Sequence, residues 1–187
     1  MAIEITKVFM KHLPSVRFIG KMYTDNDRVN GMFGKYWDDW HKNNWFKVLK
    51  ELPQIEGIDI DAFGLMGIEF KDGTHQNFQY WIGMMLQENT DVPEGYSYVD
   101  IPEGDVGICW IHGNDETGEI YGENAHNLCM ENMFGKLDGW YKRIRNDFKG
   151  KDTDWCWFFE GYNDSRMSTK DENGNIILDY GIYVKSE

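Results

Sequence analysis

The amino-acid sequence predicts an α+β fold in which antiparallel strands pack against two long helices. Three features of the sequence lead to this class. Two segments carry apolar residues at helical spacing, several shorter segments alternate apolar and polar residues as strands do, and polar turns typical of hairpins join neighbouring strands. Because hairpins outnumber helical crossovers, the pattern argues against a doubly wound sheet built from βαβ units.

The first half of the chain predicts strand, helix, strand and strand, after a weaker N-terminal edge strand. The helix covers about Met32–Leu52, since its apolar residues fall within one arc at 3.6 residues per turn and Pro53 ends it. The polar residues of Lys71–Thr74 predict a hairpin turn between the last two strands. The strands expected in this half are residues 1–10, Val16–Tyr23, Ile58–Phe70 and Phe78–Leu86.

The second half predicts the same order of elements. Its helix covers about Ala125–Phe148 and carries the most regular apolar stripe in the chain. Pro102–Gly104 interrupts the strand before this helix, and the Asn-Gly pair within Asp171–Asn175 predicts a hairpin turn before the last strand. The strands expected in this half are Tyr98–Ile101 continued by Val106–Ile111, then Trp155–Tyr162 and Ile176–Val184.

We therefore expect one domain, residues 1–187, built from two β-α-β-β repeats with pseudo-two-fold symmetry. The repeats match in the order of their elements but not visibly in sequence. Repeat one covers about 15–86, repeat two covers about 96–184, and a linker of about 87–95 joins them. Two such units side by side would bury one face of each antiparallel sheet under the helices and leave a groove between the halves.

Composition and charge narrow the classes of function. The 187 residues carry a net charge of −13, which argues against binding to a nucleic acid backbone and suits a cationic ligand or a basic protein partner. No stretch approaches the roughly 20 apolar residues of a membrane span. The N-terminus has no basic start or long apolar run of a signal peptide, and the three cysteines form no disulfide pattern. We expect a cytoplasmic protein that does not bind membranes.

Motifs for cofactors and metals are missing from the sequence. There is no glycine-rich phosphate loop, no GxSxG elbow and no HExxH motif, and the five histidines include no pair at metal-ligand spacing. Asp171–Asn175 is similar to the start of a calcium loop, but the twelfth position of such a loop would be Ile182 instead of glutamate. No cofactor and no metal is therefore expected.

One acidic residue, Glu160, lies in the most apolar strand of the chain. In Trp155–Tyr162, alternation places the odd-numbered aromatic residues on one face and Cys156, Phe158 and Glu160 on the other. Both faces are apolar, so we expect both to be covered. A carboxylate there loses hydration, and it must be paired, protonated, or facing a cavity that admits a cation. Glu160 is therefore the first candidate for a functional residue. The alternative is a structural glutamate that hydrogen bonds hold in a closed, dry site.

Three ordered segments resemble one known family. The segments are Phe78–Met84, Val99–Trp110, and Phe158–Tyr162 ahead of Asp179–Val184. Their order and spacing resemble the GyrI-like small-molecule-binding domains, which also serve as effector-binding domains of AraC-type and MerR-type transcription regulators. The resemblance covers roughly residues 15–184. There is no room for a helix-turn-helix before residue 15, so the resemblance points to a stand-alone sensor.

The resemblance implies a duplicated β-α-β-β unit with a ligand cleft between the repeats. The characteristic acidic residue of the family falls on Glu160, which would face the charge of a lipophilic cation. The resemblance also implies that Trp110, Tyr80, Trp81 and Tyr162 are its aromatic neighbours. Because Tyr80 and Trp81 are adjacent in a strand, they point to opposite faces and at most one of them contacts the ligand.

Three functions follow from the resemblance. The first is a multidrug-type binding protein for hydrophobic and especially cationic small molecules. The second is a hydrolase of cyclopropane-bearing DNA-alkylating compounds, in which Glu160 would act as the base with Tyr162, Tyr80 or Tyr121 as a hydroxyl donor. The third is a protein partner such as an inhibitor of DNA gyrase, because an acidic surface can mimic nucleic acid. A homodimer is compatible with each of these functions.

Overall fold

The computed structural model describes residues 3–71, 74–136, 148–150 and 153–184. Within these ranges the chain forms one antiparallel sheet of nine strands and four α-helices, so the α+β class is confirmed, although there is a single sheet. The strands are β1 (Glu4–Leu13), β2 (Val16–Tyr23), β3 (Ala62–Lys71), β4 (Thr74–Gln87), β5 (Ser97–Ile101), β6 (Gly104–Asn114), β7 (Phe148–Gly150), β8 (Thr153–Tyr162) and β9 (Asn175–Val184). The helices are α1 (Gly34–Lys42), α2 (Trp45–Lys50), α3 (Gly122–Lys136) and α4 (Asp164–Ser168).

The strand order of the sheet is β1-β6-β9-β8-β3-β4-β2-β5, with β7 added beside β8. The central pair is β3 with β8, where Gly64 lies opposite Glu160. The expected N-terminal edge strand is confirmed as β1. The hairpin between β3 and β4 is also confirmed, because Lys71 pairs with Thr74, while residues 72–73 of its turn lie outside the described ranges.

Two expectations about the strands and turns were wrong in detail. The interrupted strand around Pro102 is two separate strands, because β5 pairs with β2 whereas β6 pairs with β1 and β9. Proline has a fixed φ and no backbone N–H, which favours a break in the ladder. The Asp171–Asn175 turn leads from α4 into β9 and does not join two strands. Asn163 starts α4 after β8, because its side chain accepts a hydrogen bond from the backbone N–H of Arg166.

The bounds predicted for the two long helices also differ from those in the structure. The first, Met32–Leu52, is divided into α1 and α2 at Asn44, which has a left-handed backbone with φ of 54°. Asparagine adopts this conformation more easily than most residues, so the apolar stripe continues although the helix does not. The second, expected over Ala125–Phe148, starts earlier at Gly122 and is described as far as Lys136. Residues 137–147 lie outside the described ranges, and Phe148 belongs to β7.

The sheet separates two buried clusters. One face, called the helix face, packs against α1, α2 and α3 through residues such as Trp40, Leu49 and Cys129. On the other face, called the loop face, side chains from all eight strands of the main strand order form a second cluster, which the loop before β3 partly covers. In β8, Phe158 belongs to the helix face and Phe159 to the loop face. The prediction that this strand is covered on both faces is therefore confirmed.

Candidate functional site

Glu160 lies on the helix face of β8 and is only 7% exposed. Its Oε2 atom accepts hydrogen bonds from the hydroxyl groups of Tyr162 at 3.1 Å and Tyr80 at 3.4 Å. The backbone N–H of Gly122 also donates to this carboxylate. In the described part of the chain no lysine or arginine pairs with Glu160, so its hydrogen-bond donors are all neutral groups.

Two glycines make this arrangement possible. Gly64 lies opposite Glu160 in the sheet, and a Cβ atom there would be 2.6 Å from the Tyr80 hydroxyl and 3.3 Å from Glu160 Oε2. The space beside the carboxylate therefore depends on the missing side chain. Gly122 has φ of 76° and is the first residue of α3. Its backbone N–H brings the positive end of a helix toward the buried acid.

Aromatic rings from two further segments pack around Tyr80 and Tyr162, which donate to Glu160. Phe33 stacks on Tyr80 with ring centroids 4.2 Å apart and an interplanar angle of 2°. Trp37 in α1 donates its indole N–H to the Tyr80 hydroxyl at 2.9 Å, and its ring lies 4.5 Å from that of Tyr162. The ring of Tyr121 also packs against that of Tyr162, with ring centroids 6.4 Å apart. The carboxylate is therefore covered by rings contributed by α1 and by the segment that leads into α3.

Burial controls the protonation of this cluster. Loss of hydration raises the pKa of Glu160, while the hydrogen bonds from Tyr162, Gly122 and Tyr80 oppose that rise. Burial also raises the pKa of Tyr80 and Tyr162 well above the usual value, and the negative charge of Glu160 adds to the effect. Burial raises the pKa of Tyr121 to about 12. The tyrosines therefore remain hydroxyl donors over the whole neutral range, and Glu160 is the group that can change charge.

A second buried carboxylate provides a useful contrast. Asp179 in β9 is 3% exposed, and it forms an ion pair with Arg166. Arg166 also binds Asp59 at 2.9 Å. Burial raises the pKa of Asp179, and the guanidinium group of Arg166 lowers it. Asp179 therefore has a permanent basic partner, as buried charges usually do, whereas Glu160 has neutral partners.

The structure brings together only part of the predicted site. Tyr80, Tyr162 and Tyr121 surround Glu160 on the helix face. Trp81 points to the loop face, where it is 5% exposed and packs against Phe18 with ring centroids 6.2 Å apart.

Trp110 also lies on the loop face, where its ring contacts the ring of Phe9 and the guanidinium group of Arg166. The alternation of side chains correctly placed Tyr80 and Trp81 on opposite faces of the sheet. The pairing of β3 with β4 and β8 decides which of the two shares a face with Glu160. The sequence did not identify Phe33, Trp37 and Gly122 as neighbours of the acid. The spacing of Phe33 and Trp37, four residues apart in an apolar stripe, was the available signal.

Two cavities within the described part of the chain are large enough to hold small molecules, and Glu160 does not line either of them. One has a volume of about 440 Å³ and lies on the loop face. The other, of about 300 Å³, is a shallow depression beside α1 and α2, around Trp40 and Phe46. Glu160 itself is buried beneath the rings described above.

The described residues contain neither a cluster of metal ligands nor a membrane-spanning helix. No group of three or more histidine, cysteine, aspartate or glutamate side chains there is arranged to hold a metal ion. No helix in the described ranges combines the length and the apolar character needed to cross a membrane.

Comparisons with known proteins identify the fold. No profile of a known protein family and no curated protein sequence matches the chain. A solved structure from Staphylococcus aureus MU50, named as a candidate bacterial transcription regulation protein, is 13% identical with a TM-score of 0.57, over 96% of this chain and 99% of that one. The structure of SAV2435 bound to tetraphenylphosphonium is 15% identical with a TM-score of 0.54, over 97% of this chain and 95% of that one. The resemblance expected from the three ordered segments is confirmed at the level of the fold.

Proposed function

We propose that this chain is a stand-alone GyrI-like domain that binds hydrophobic cations, and that Glu160 is the group that meets the charge of the ligand. The observation that carries this proposal is a buried carboxylate whose partners are neutral hydroxyl and N–H donors. The other buried acid, Asp179, forms an ion pair with Arg166. Glu160 receives no such partner from the described residues, which leaves its charge available to a ligand.

The physical argument rests on the cost of burying a charge. A carboxylate taken out of water is stabilised by a nearby cation, and the attraction is stronger where the surroundings are less polar. Aromatic ring faces add about 0.5–2 kcal/mol each when they contact a cation. Trp37, Tyr162 and Tyr121 supply such rings beside the acid. A hydrophobic cation would gain both contributions at this position, and a neutral or anionic analogue would gain neither.

The structural neighbours support the same class of ligand. SAV2435, which shares the fold, has been solved with tetraphenylphosphonium bound, and this molecule is a hydrophobic cation. The other neighbour is named for a role in transcription regulation. We extend both features to this chain as a proposal, so that the protein would act as a sensor of cationic aromatic compounds.

The strand order supports the duplicated plan expected from the sequence. Read from its two edges inward, the sheet is β1-β6-β9-β8 on one side and β5-β2-β4-β3 on the other. In chain order, β6, α3, β8 and β9 of one half correspond to β2, α1, β3 and β4 of the other. We propose that repeat one covers about 15–86 and repeat two about 96–184 within one domain. The ligand cleft would then lie between α1 and the start of α3, above Glu160.

Ligand entry at this position requires side chains to move. Trp37 from one repeat and Tyr121 from the other both pack against the ring of Tyr162, whose hydroxyl donates to the buried Glu160. Both residues are partly exposed, so neither is locked in the core. We propose that separation of these two rings opens the cleft.

A titration with two ions of nearly the same size and shape tests the proposal. Tetraphenylphosphonium should bind and change the fluorescence of the tryptophans, while tetraphenylborate, its anionic counterpart, should not bind to this site. The Glu160→Gln variant should bind the cation about tenfold more weakly or worse. Glu88→Gln removes the same charge at an exposed position and should bind as the wild type does. Equal affinity of wild type and Glu160→Gln for the cation would contradict the proposal.

A hydrolase is the second candidate, and one specific observation favours it. His126 in α3 lies 2.6 Å from the hydroxyl of Tyr180, which is opposite Glu160 in the pairing of β8 with β9. Burial lowers the pKa of His126, so its imidazole is neutral and able to accept a proton. Glu160, whose pKa is raised, and the neutral imidazole of His126 both lie on the helix face of the sheet. Such groups could transfer protons during the addition of water.

The hydrolase is tested by chemistry instead of affinity. A cyclopropane-bearing alkylating compound is incubated with the protein, and mass spectrometry follows the gain of one water molecule. Loss of this product in both Glu160→Gln and His126→Gln, with retention in Glu88→Gln, would support catalysis. A compound that stays unchanged with the wild-type protein contradicts it.

A further inference from the structure

The cavity of about 440 Å³ lies on the face of the sheet opposite Glu160. Its walls are mostly apolar, and they include Phe9, Leu13, Phe63, Met85, Ile108 and Phe159. Volumes of this size and apolar walls are typical of sites for small organic molecules. The sheet lies between this cavity and Glu160, so the cavity is distinct from the site proposed above.

Positive side chains surround this cavity although the whole chain is strongly acidic. Alternate residues of β1 point to the loop face, and they read Lys7, Phe9, Lys11 and Leu13. Lys11 and Arg166 line the cavity. The ammonium group of Lys7 lies 4.7 Å from the ring centre of Phe9 and 4.4 Å from that of Trp110, and both of these rings line the cavity.

Both carboxylates that line the cavity already form ion pairs. Asp59 and Asp179 both bind Arg166, so an incoming cation would have to compete with an arginine for either of them. Among the residues that line the cavity, Lys11 and Arg166 balance Asp59 and Asp179, and Lys7 lies beside the Phe9 and Trp110 rings of its wall, in a chain with a net charge of −13. Lys11 is hydrogen-bonded to the backbone carbonyl of Gly57, so its positive charge can be met by an incoming anion.

One buried hydrogen-bond donor at the cavity also lacks a partner. The Nε atom of Arg166 is buried without an acceptor among the described residues, whereas the indole N–H of Trp110 interacts with the carboxylate of Asp179 and lowers its pKa. Buried N–H groups are satisfied in most proteins, and each exception calls for an explanation. A carboxylate group has only acceptor oxygens and would suit donors of this kind.

We propose that this cavity binds a hydrophobic carboxylate of the fatty-acid type. The apolar chain would pack against the phenylalanines of the wall, and the carboxylate would lie toward Lys11 and Arg166. The domain would then hold two sites of opposite preference, one on each face of the sheet. This proposal is independent of the function assigned to Glu160, because the two sites share no side chain.

Isothermal titration calorimetry with three unbranched alkyl probes tests which head-group charge this cavity prefers. Decanoate, 1-decanol and decyltrimethylammonium have the same chain and differ in the head group. We expect decanoate to bind at least about tenfold more tightly than 1-decanol, and decyltrimethylammonium to bind more weakly than either at this cavity. If 1-decanol binds as tightly as decanoate, the role of the cations is wrong and the proposal is overturned.

Variants then locate the site. Lys11→Glu should weaken decanoate binding by about tenfold or more, while Lys42→Glu, the same change at an exposed position of α1, should leave it unchanged. Ile58→Trp places a larger side chain at the cavity wall and should abolish binding of decanoate and 1-decanol alike. Glu160→Gln should retain decanoate binding. Retention of decanoate affinity in Ile58→Trp, or its loss in Glu160→Gln, would place the ligand elsewhere and overturn the proposal.

Discussion

Tyr80 reaches Glu160 across the strand that lies between them, because β3 has no side chain at Gly64. The hydroxyl of Tyr80 lies 3.4 Å from Glu160 Oε2, and a Cβ atom on Gly64 would lie 2.6 Å from that hydroxyl. A hydrogen bond between β4 and β8 thus passes over the intervening β3. The contact between the acid and its donor therefore depends on a residue that makes no polar contact through a side chain.

Replacement of Gly64 tests this dependence. Gly64→Ala should displace the Tyr80 hydroxyl from Glu160, destabilise the protein by about 1–3 kcal/mol through overpacking, and weaken tetraphenylphosphonium binding. Urea denaturation and titration with the cation measure the two effects. Gly34→Ala is the matched control, because a Cβ atom there meets no atom within 4 Å. An alanine at position 64 that leaves both quantities at the wild-type value would show that Tyr80 is not positioned in this way.

The pH dependence of stability reports on Glu160. Because burial raises its pKa in the folded state, the folded protein holds the proton more tightly than the unfolded chain. The resulting stabilisation is complete below the unfolded pKa of 4.5 and is lost as the pH rises through the folded pKa. The free energy of unfolding of the wild type, minus that of Glu160→Gln, should therefore fall as the pH rises from 4.5 through the folded pKa of Glu160.

Urea denaturation of both proteins at several pH values gives this difference directly, and subtraction cancels the contribution of His126. A difference between wild type and Glu160→Gln that is flat, or that increases with pH, contradicts a raised pKa for Glu160.

The ion pair of Arg166 with Asp179 should matter far more than that of Arg166 with Asp59. Asp179 is buried and would lose its basic partner in Arg166→Gln, which should cost about 3 kcal/mol. Asp59 has a side chain that is 70% exposed, so Asp59→Asn should cost less than about 1 kcal/mol. Both values come from urea denaturation. In the Asp179→Asn background the cost of Arg166→Gln should shrink, and an undiminished cost would show that the loss does not come from the buried charge.

The break between α1 and α2 should depend on the residue at position 44. Asn44→Ala places a Cβ atom in the left-handed conformation without a polar side chain and should lower the free energy of unfolding by about 1 kcal/mol. Asn44→Gly should stay close to the wild type, because glycine accepts this conformation readily. Thermal or urea denaturation distinguishes the two variants. Equal stability of the alanine and glycine variants would mean that the conformation of the break does not limit stability.

The sequence predicted most strands of this fold, but only part of the site. Alternation in Trp155–Tyr162 was sufficient to place Glu160 in a strand that is buried on both faces, because a period of two is a local property. The pairing of β3 with both β4 and β8 is not local, and this pairing puts Tyr80 with Glu160 while it sends Trp81 and Trp110 to the other face.

Helix packing limited the prediction in the same way. Phe33 and Trp37 followed the apolar stripe expected of a core helix, but their contact with Tyr80 depends on how α1 docks on the sheet. The break at Asn44 left the apolar period intact, so the period could not reveal it. The N–H of Gly122 became part of the site only because α3 begins there, three residues before the expected start.

The order of the strands has a consequence for how the domain can fold. The chain runs from β1 to β2 through Pro14 and Ser15 alone, yet β1 pairs with β6 of the later half, and β5 of the linker side pairs with β2 of the earlier half. In the duplicated arrangement proposed above, the outermost strand beside each repeat therefore comes from the other part of the chain. A cut between residues 87 and 95 would separate both β1 and β5 from the strands with which they pair, so the two repeats would depend on each other for the edges of their sheet.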